Sequence, residues 1–256
     1  MVTICHNAEH IVQPLQRIER KFFVLPRNIG YAYNLLRLVC RPAREYPLEQ
    51  INSLYFDTED LEQYEKSSSG DSRKDKVRIR WYHQIRDYQD TVPVFVELKS
   101  REGFTGAKQR EQLTVPIPAL EVSNLHEGII PNARLADIVA GFGHFPSMPI
   151  HPIILISYWR YRLTEPLTGM IVSLDYNIRS TVIYRSLGYG ETELRLPGAV
   201  IEVKGSKLEL PATLLRLKLL DLDWSRFSKY SSCLDSNMIE PGTFSRLAPS
   251  GRIFET

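Results

Sequence analysis

Val77-Arg78-Ile79-Arg80-Trp81 alternates strictly. An extended chain therefore turns Val77, Ile79 and Trp81 to one side and both arginines to the other. Antiparallel sheets commonly show water one polar face, so a single stretch of this kind proves little. The pattern recurs, however. In Tyr158-Trp159-Arg160-Tyr161-Arg162-Leu163, Arg160 and Arg162 again share a face. Three more stretches set an acid two residues before a lysine: Glu19 with Lys21, Glu97 with Lys99, and Glu202 with Lys204. Lys108 and Arg110 form another same-face pair at the start of a strand. Cross-strand Glu–Lys ladders would explain any one of these. Six strands together predict a sheet whose apolar side is turned outward under helices and whose charged side lines a lumen.

Working outward, period-two alternation predicts strands at Ile18–Val24, Ile51–Phe56, Val77–Tyr82, Val94–Lys99, Gln109–Val115, Ile154–Leu163, Ile171–Arg179 and Ala199–Lys204. Helical spacing predicts a helix from an Asn28 cap through Cys40, with Leu35, Leu36 and Val39 on its apolar side. A second fits Ala133–Ala140. A third runs from Pro211 to about Leu222, with Leu214, Leu215, Leu217 and Leu219 forming a broad apolar face. The polar tract Lys66–Lys76 reads as an exposed loop, as do Arg101–Gly106, Leu187–Thr192 and the tail from Pro241. The expected fold is α+β: an antiparallel, eight-stranded closed β-barrel with flanking helices. One domain spans 1–256, with a core of about 17–232 and a C-terminal tail at 233–256.

Composition narrows the function. The chain has 256 residues and a formal net charge of +2, which excludes a uniformly basic surface but not a local basic cavity. Cys5, Cys40 and Cys233 are odd in number and far apart, which points to reduced thiols and a cytoplasmic protein without a structural zinc site. Met1–Glu9 has no signal-peptide core, and no apolar run approaches the roughly 20 residues of a membrane helix. The six histidines are scattered, and no nucleophile elbow, P-loop or dinucleotide fingerprint occurs. Trp81, Tyr161 and Leu163 fall opposite the arginines, which argues against a barrel that stacks nucleic-acid bases.

Many cations at close quarters repel one another unless an anion sits among them. Arginine grips phosphate bidentately and lysine adds point charge. A lumen with these cations and a few carboxylates fits a polyanion, with a divalent metal held by the acids.

Several of these residues lie in stretches that resemble a known family. Arg17-Ile18-Glu19-Arg20-Lys21-Phe22, Ser53-Leu54-Tyr55-Phe56-Asp57-Thr58, Val77 to Tyr82 and Val96-Glu97-Leu98-Lys99 are similar to the vacuolar transporter chaperone (VTC) type polyphosphate polymerase domain. Trp159-Arg160-Tyr161-Arg162, Ser173-Leu174-Asp175, Ile201-Glu202-Val203-Lys204 and Ser228-Lys229-Tyr230 continue the match in family order. That family belongs to the CYTH-like triphosphate tunnel metalloenzymes. The resemblance implies an eight-stranded tunnel, ATP and inorganic polyphosphate or triphosphate as partners, and Mn²⁺ or Mg²⁺ as cofactor. It assigns Lys21, Arg78, Arg80, Lys99, Arg160 and Lys229 to catalysis. Lys108, Arg110, Arg162, Lys204, Ser228 and Glu97 would hold or frame the substrate, with Glu97 orienting neighbouring cations. Glu202, then Glu19, would carry the metal, and Lys229 would reach the tunnel mouth from beyond the last apolar helix. Two departures stand out. Arg17 replaces the first acid of the E-x-E-x-K strand of the hydrolytic branch, which favours the polymerase branch. Ile171 stands where the family usually has an arginine, and Arg179 and Arg162 are the residues placed to compensate. The chain reads as a stand-alone, bacterial-type form without the membrane segments of eukaryotic members. A tunnel triphosphatase and a non-catalytic polyphosphate- or nucleotide-binding module remain open.

Overall fold

A computed structural model describes residues 18–83, 90–102, 105–187, 192–205, 209–220 and 227–238. Its strands are β1 (Ile18–Val24), β2 (Arg41–Pro42), β3 (Leu48–Asp57), β4 (Arg73–His83), β5 (Thr91–Glu102), β6 (Thr105–Pro116), β7 (His151–Thr164), β8 (Ile171–Val182), β9 (Leu194–Arg195) and β10 (Ala199–Gly205). They form one antiparallel sheet in the order β1-β10-β8-β7-β3-β4-β5-β6, with β2 added to β7 and β9 to β8. The helices are α1 (Ile29–Val39), α2 (Glu62–Ser68), α3 (Asn132–Gly141) and α4 (Lys229–Met238).

The alternation sorts the sheet into two faces. On the outer face, Val77, Ile79 and Trp81 pack with Val94, Val96 and Leu98 under Leu135, Ile138 and Val139 of α3. Farther round, Phe22, Val24, Val172, Leu174 and Ile201 are covered by Leu36 of α1 and by Leu214 and Leu217. Those two leucines lie in a 3-10 segment, Ala212–Leu220. Its residues three apart eclipse, so Leu214 and Leu217 point inward while Leu215 is exposed. The broad leucine face expected there is therefore narrower, and its continuation to Leu222 lies outside the described residues, as do most of the loop at 187–192 and the tail from Pro241.

The sheet curls strongly. β1 and β5 are six strand steps apart, which in a flat sheet would be about 29 Å. Yet the Lys99 ammonium of β5 donates to Glu19 of β1 at 2.8 Å. The expected closed barrel is not formed by backbone pairing: among the described residues no ladder joins the edge strands β1 and β6. A ladder needs backbones about 4.8 Å apart, whereas Lys99 and Glu19 bridge a wider gap with their long side chains. The result is a trough with ion-paired walls.

Two local features set what faces the trough. Lys66–Lys76 is not one exposed loop: α2 runs through its first part and β4 begins at Arg73. The cause is tertiary, because buried Asp57 accepts the amide N–H groups of Gln63 and Tyr64, and the Gln63 side chain accepts the Val77 amide. In β8, the pairing with β7 slips between Ser157 and Trp159, opposite Asn177 at φ 51°, a bulge that Asn tolerates. Ile171, Ser173 and Asp175 face the trough before it, and Ile178 and Val182 after it. α4 carries the core past the expected boundary at 232, with Cys233 and Leu234 fully buried.

Candidate functional site

Every candidate cation and acid comes onto the inner face, but as organised clusters rather than a uniform basic lining. The first cluster surrounds Glu97, which has no exposed surface. Arg78 donates to its Oε2 at 2.9 and 2.6 Å, and Arg110 and Lys108 donate to Oε1 at 3.1 and 3.2 Å. Burial alone would raise the Glu97 carboxyl, yet Arg78, Arg80, Lys108 and Arg110 hold it well below the usual carboxylate range. Glu97 thus sits among three hydrogen-bonded cations, Arg78, Lys108 and Arg110.

The second cluster surrounds two acids. Arg160 forks onto Asp175 at 2.6 Å for each bond and reaches Glu202 at 2.9 Å. Lys229 lies 2.5 Å from Asp175 and 2.9 Å from Glu202, with its charge 4.9 Å from the Tyr158 ring centre. This corrects the view of Lys229 as a reaching mouth residue in a segment of weak pattern. It is the buried first residue of α4, locked into the wall by two carboxylates. Burial opposes the charge on Lys229, but Asp175 and Glu202 raise it above the ordinary lysine value.

Lys204 bridges Glu19 and Glu202 at 3.6 and 3.7 Å. Burial would raise both carboxyls, but the lysines around them hold both below the usual range. Arg162 pairs with Glu49. Ile171, 39% exposed, lies opposite Lys204 at the rim. Neither proposed compensator fills its place. The bulge turns Arg179 outward onto Glu193, and Arg162 already serves Glu49.

Among the described residues, three inner-face cations have no carboxylate within ion-pair distance. Lys21 donates to the Phe227 carbonyl at 3.2 Å. Lys76 donates to the Ser228 hydroxyl at 2.8 Å. Arg80 donates to the Ser53 hydroxyl at 3.1 Å and the Tyr158 hydroxyl at 3.3 Å. Two of these contacts are with the segment leading into α4, which is stapled from the other side. Tyr230 stacks on Tyr55 with ring centres 5.0 Å apart and donates to buried Asp57 at 2.7 Å. Tyr64 of α2 donates to Asp235 at 2.5 Å.

Sequence reasoning missed Asp175, Lys76, Tyr55 and Tyr158. Three of them carried a signal: Lys76 keeps the parity of Arg78 and Arg80, Tyr158 that of Arg160, and Asp175 that of Ser173. Trp81, Tyr161 and Leu163 lie on the outer face, away from the arginines, but other aromatics do not. Tyr55, Tyr82, Phe95 and Tyr158 lie on the cation face, with the Arg110 guanidinium 3.9 Å from the Phe95 ring centre.

Glu202 and Glu19 are the acids that could hold a metal. Among the described residues no group of three or more His, Cys, Asp or Glu side chains is arranged for an ion. A hard divalent cation, however, often takes one or two carboxylates and completes its shell with phosphate oxygens and water. The Glu19–Glu202 pair, now bridged by an ammonium, fits that partial role.

The VTC domain family model matches residues 7–237. No curated protein matches the chain significantly. A candidate adenylate cyclase of Bacillus halodurans superposes with a TM-score of 0.50 at 18% identity, covering 84% of this chain and 96% of its own. That likeness shows the fold alone. A candidate adenylate cyclase of Vibrio parahaemolyticus gives a TM-score of 0.45 at 12% identity, covering 87% and 99%, and carries no weight here. No described helix is long and apolar enough to cross a membrane.

Proposed function

The chain belongs to the VTC domain family, and from that premise we propose that it moves the γ-phosphate of ATP onto an inorganic polyphosphate chain held in the trough. The observation that carries this reading is the set Lys21, Lys76 and Arg80: inner-face basic side chains that meet neutral oxygens and, among the described residues, no acid. Charges so placed are costly until an anion arrives. A linear polyphosphate or nucleotide triphosphate supplies several anionic oxygens in a row.

Phosphoryl transfer asks a protein mainly for alignment and charge stabilisation. Glu97 holds Arg78 and Arg110 in fixed directions, so their remaining N–H donors are aimed before substrate binds. Asp175 does the same for Arg160. Lys229 stands where charge on transferred oxygens would be met from the side of α4. A Mn²⁺ or Mg²⁺ on Glu202 and Glu19 would offset charge on phosphate oxygens. The γ-phosphoryl group leaves ADP and joins a terminal oxygen of the chain, without a protein nucleophile.

Incubation with ATP and Mn²⁺ or Mg²⁺, followed by gel separation of polyphosphate, tests the proposal. Long chains together with ADP are expected. Orthophosphate alone would make the protein a triphosphatase, and tight triphosphate binding without turnover would make it a binding module.

A further inference from the structure

Lys76, Lys99 and Lys108 stand directly opposite one another on β4, β5 and β6. All three face the trough. Adjacent strands are about 4.8 Å apart, and like charges in directly opposed positions destabilise a sheet. Two members of the row have acids. Lys99 pairs with Glu19 at 2.8 Å, and Lys108 with Glu97 at 3.2 Å. Lys76 pairs with none among the described residues. Its ammonium position is 2.8 Å from the Ser228 hydroxyl, a group that can donate as readily as accept.

The groups facing Lys76 come from every neighbouring element. Lys74 and Arg78 lie on its own strand, Lys99 on β5 and Lys21 on β1, and all of them are cationic. Among the described residues, the segment before α4 contributes the Ser228 hydroxyl. Among the described residues, the inner-face acids Glu97 and Glu19 are committed elsewhere, Glu97 to Arg78, Lys108 and Arg110, and Glu19 to Lys99 and Lys204. Burial first, and then these cations, push the Lys76 amine well below the ordinary lysine value.

We propose that Lys76 adjusts the charge of the trough to its ligand, standing as a neutral amine when the trough is empty and as an ammonium when a polyphosphate or nucleotide triphosphate lies against it. Binding then takes up one proton from solution. The amine lone pair accepts it, and the Ser228 oxygen, free to rotate its hydroxyl, accepts a hydrogen bond from the new ammonium. No other bond is made or broken. The inference rests on the phosphate reading of the trough and adds a proton to its binding step. An empty trough is thereby spared one repelling charge, and the full charge appears only with the anion that needs it.

The test uses the full chain labelled with ¹³C-lysine, with the Lys76 signal identified by its loss in Lys76→Gln. In the free protein, at the pH of the binding measurements, the Lys76 signal should be that of a neutral amine. Inorganic tripolyphosphate should move its titration midpoint upward. Calorimetry with tripolyphosphate in buffers of different ionisation enthalpy should show about one more proton taken up by the wild type than by Lys76→Gln. Between the two midpoints, wild-type affinity should fall by up to about tenfold per pH unit. A free-state Lys76 that is already an ammonium at that pH overturns the proposal, whatever binds. A low midpoint that stays put while the Lys21 and Lys99 signals respond to tripolyphosphate overturns the coupling alone. If no trough lysine responds and no heat is released, the phosphate reading itself falls, and the coupling with it.

Discussion

Glu97 shares its two oxygens among Arg78, Arg110 and Lys108, and no part of it touches solvent. A glutamine of the same shape would leave three cations facing one another around a neutral amide. Glu97→Gln is therefore expected to cost about 3 kcal/mol, the scale of a broken buried ion pair. Urea unfolding measures this, and a loss under about 1 kcal/mol would mean that solvent around the half-exposed Lys108 and Arg110 supplies most of their stabilisation. Lys229 is the converse case, a cation shared by Asp175 and Glu202. Lys229→Met should lower kcat and kcat/KM together by roughly ten- to a thousandfold, as expected of a charge that meets the transition state. A raised KM with unchanged kcat would make Lys229 a binding residue only. Because Met fills much of the space, a circular dichroism melt separates loss of fold from loss of chemistry.

At the scale of elements, α4 governs the site although its surroundings in sequence have weak pattern. It meets the inner apolar cluster through Tyr230, Cys233 and Leu234, and it meets the charged trough through Lys229. Its register is set by the Tyr230 hydroxyl on Asp57 and by Asp235 under Tyr64. Cys233 reports on that docking, since burial pushes its thiol up to about 12 and makes it inert while α4 is seated. Tyr230→Phe keeps the stack on Tyr55 but removes one hydrogen bond, worth about 1 kcal/mol. Maleimide labelling of Cys233 should then speed up by roughly five- to tenfold. An unchanged rate would show that stacking and the Tyr64–Asp235 bond hold α4 without Asp57.

For the whole molecule, the inner acids couple stability to pH and the excess of cations couples it to anions. Glu97 and Glu202 are buried and Glu19 is half-buried, which alone would raise them, but surrounding cations hold all three below their unfolded values. Their stabilisation is complete above the unfolded carboxyl value of about 4.3 and is lost as pH falls toward the folded values. Urea midpoints should be flat from about pH 8 to 5 and drop below about pH 4; a steady decline between 7 and 5 would contradict this assignment. Inorganic tripolyphosphate should raise the melting temperature with the logarithm of its concentration, and added salt should weaken the effect. The sequence by itself determined the strands, their two faces and the cations of the inner face, because side-chain direction in a strand depends only on local alternation. It also carried the family, through short motifs in order. Only the tertiary structure decided that no ladder joins β1 to β6 among the described residues, that a bulge at Asn177 sends Arg179 outward, that Asp57 builds α2 from a tract resembling a loop, and that Asp175 and Glu202 capture Lys229. These outcomes rest on register, curl and contacts between residues far apart in the chain, and a period of two carries no information about them.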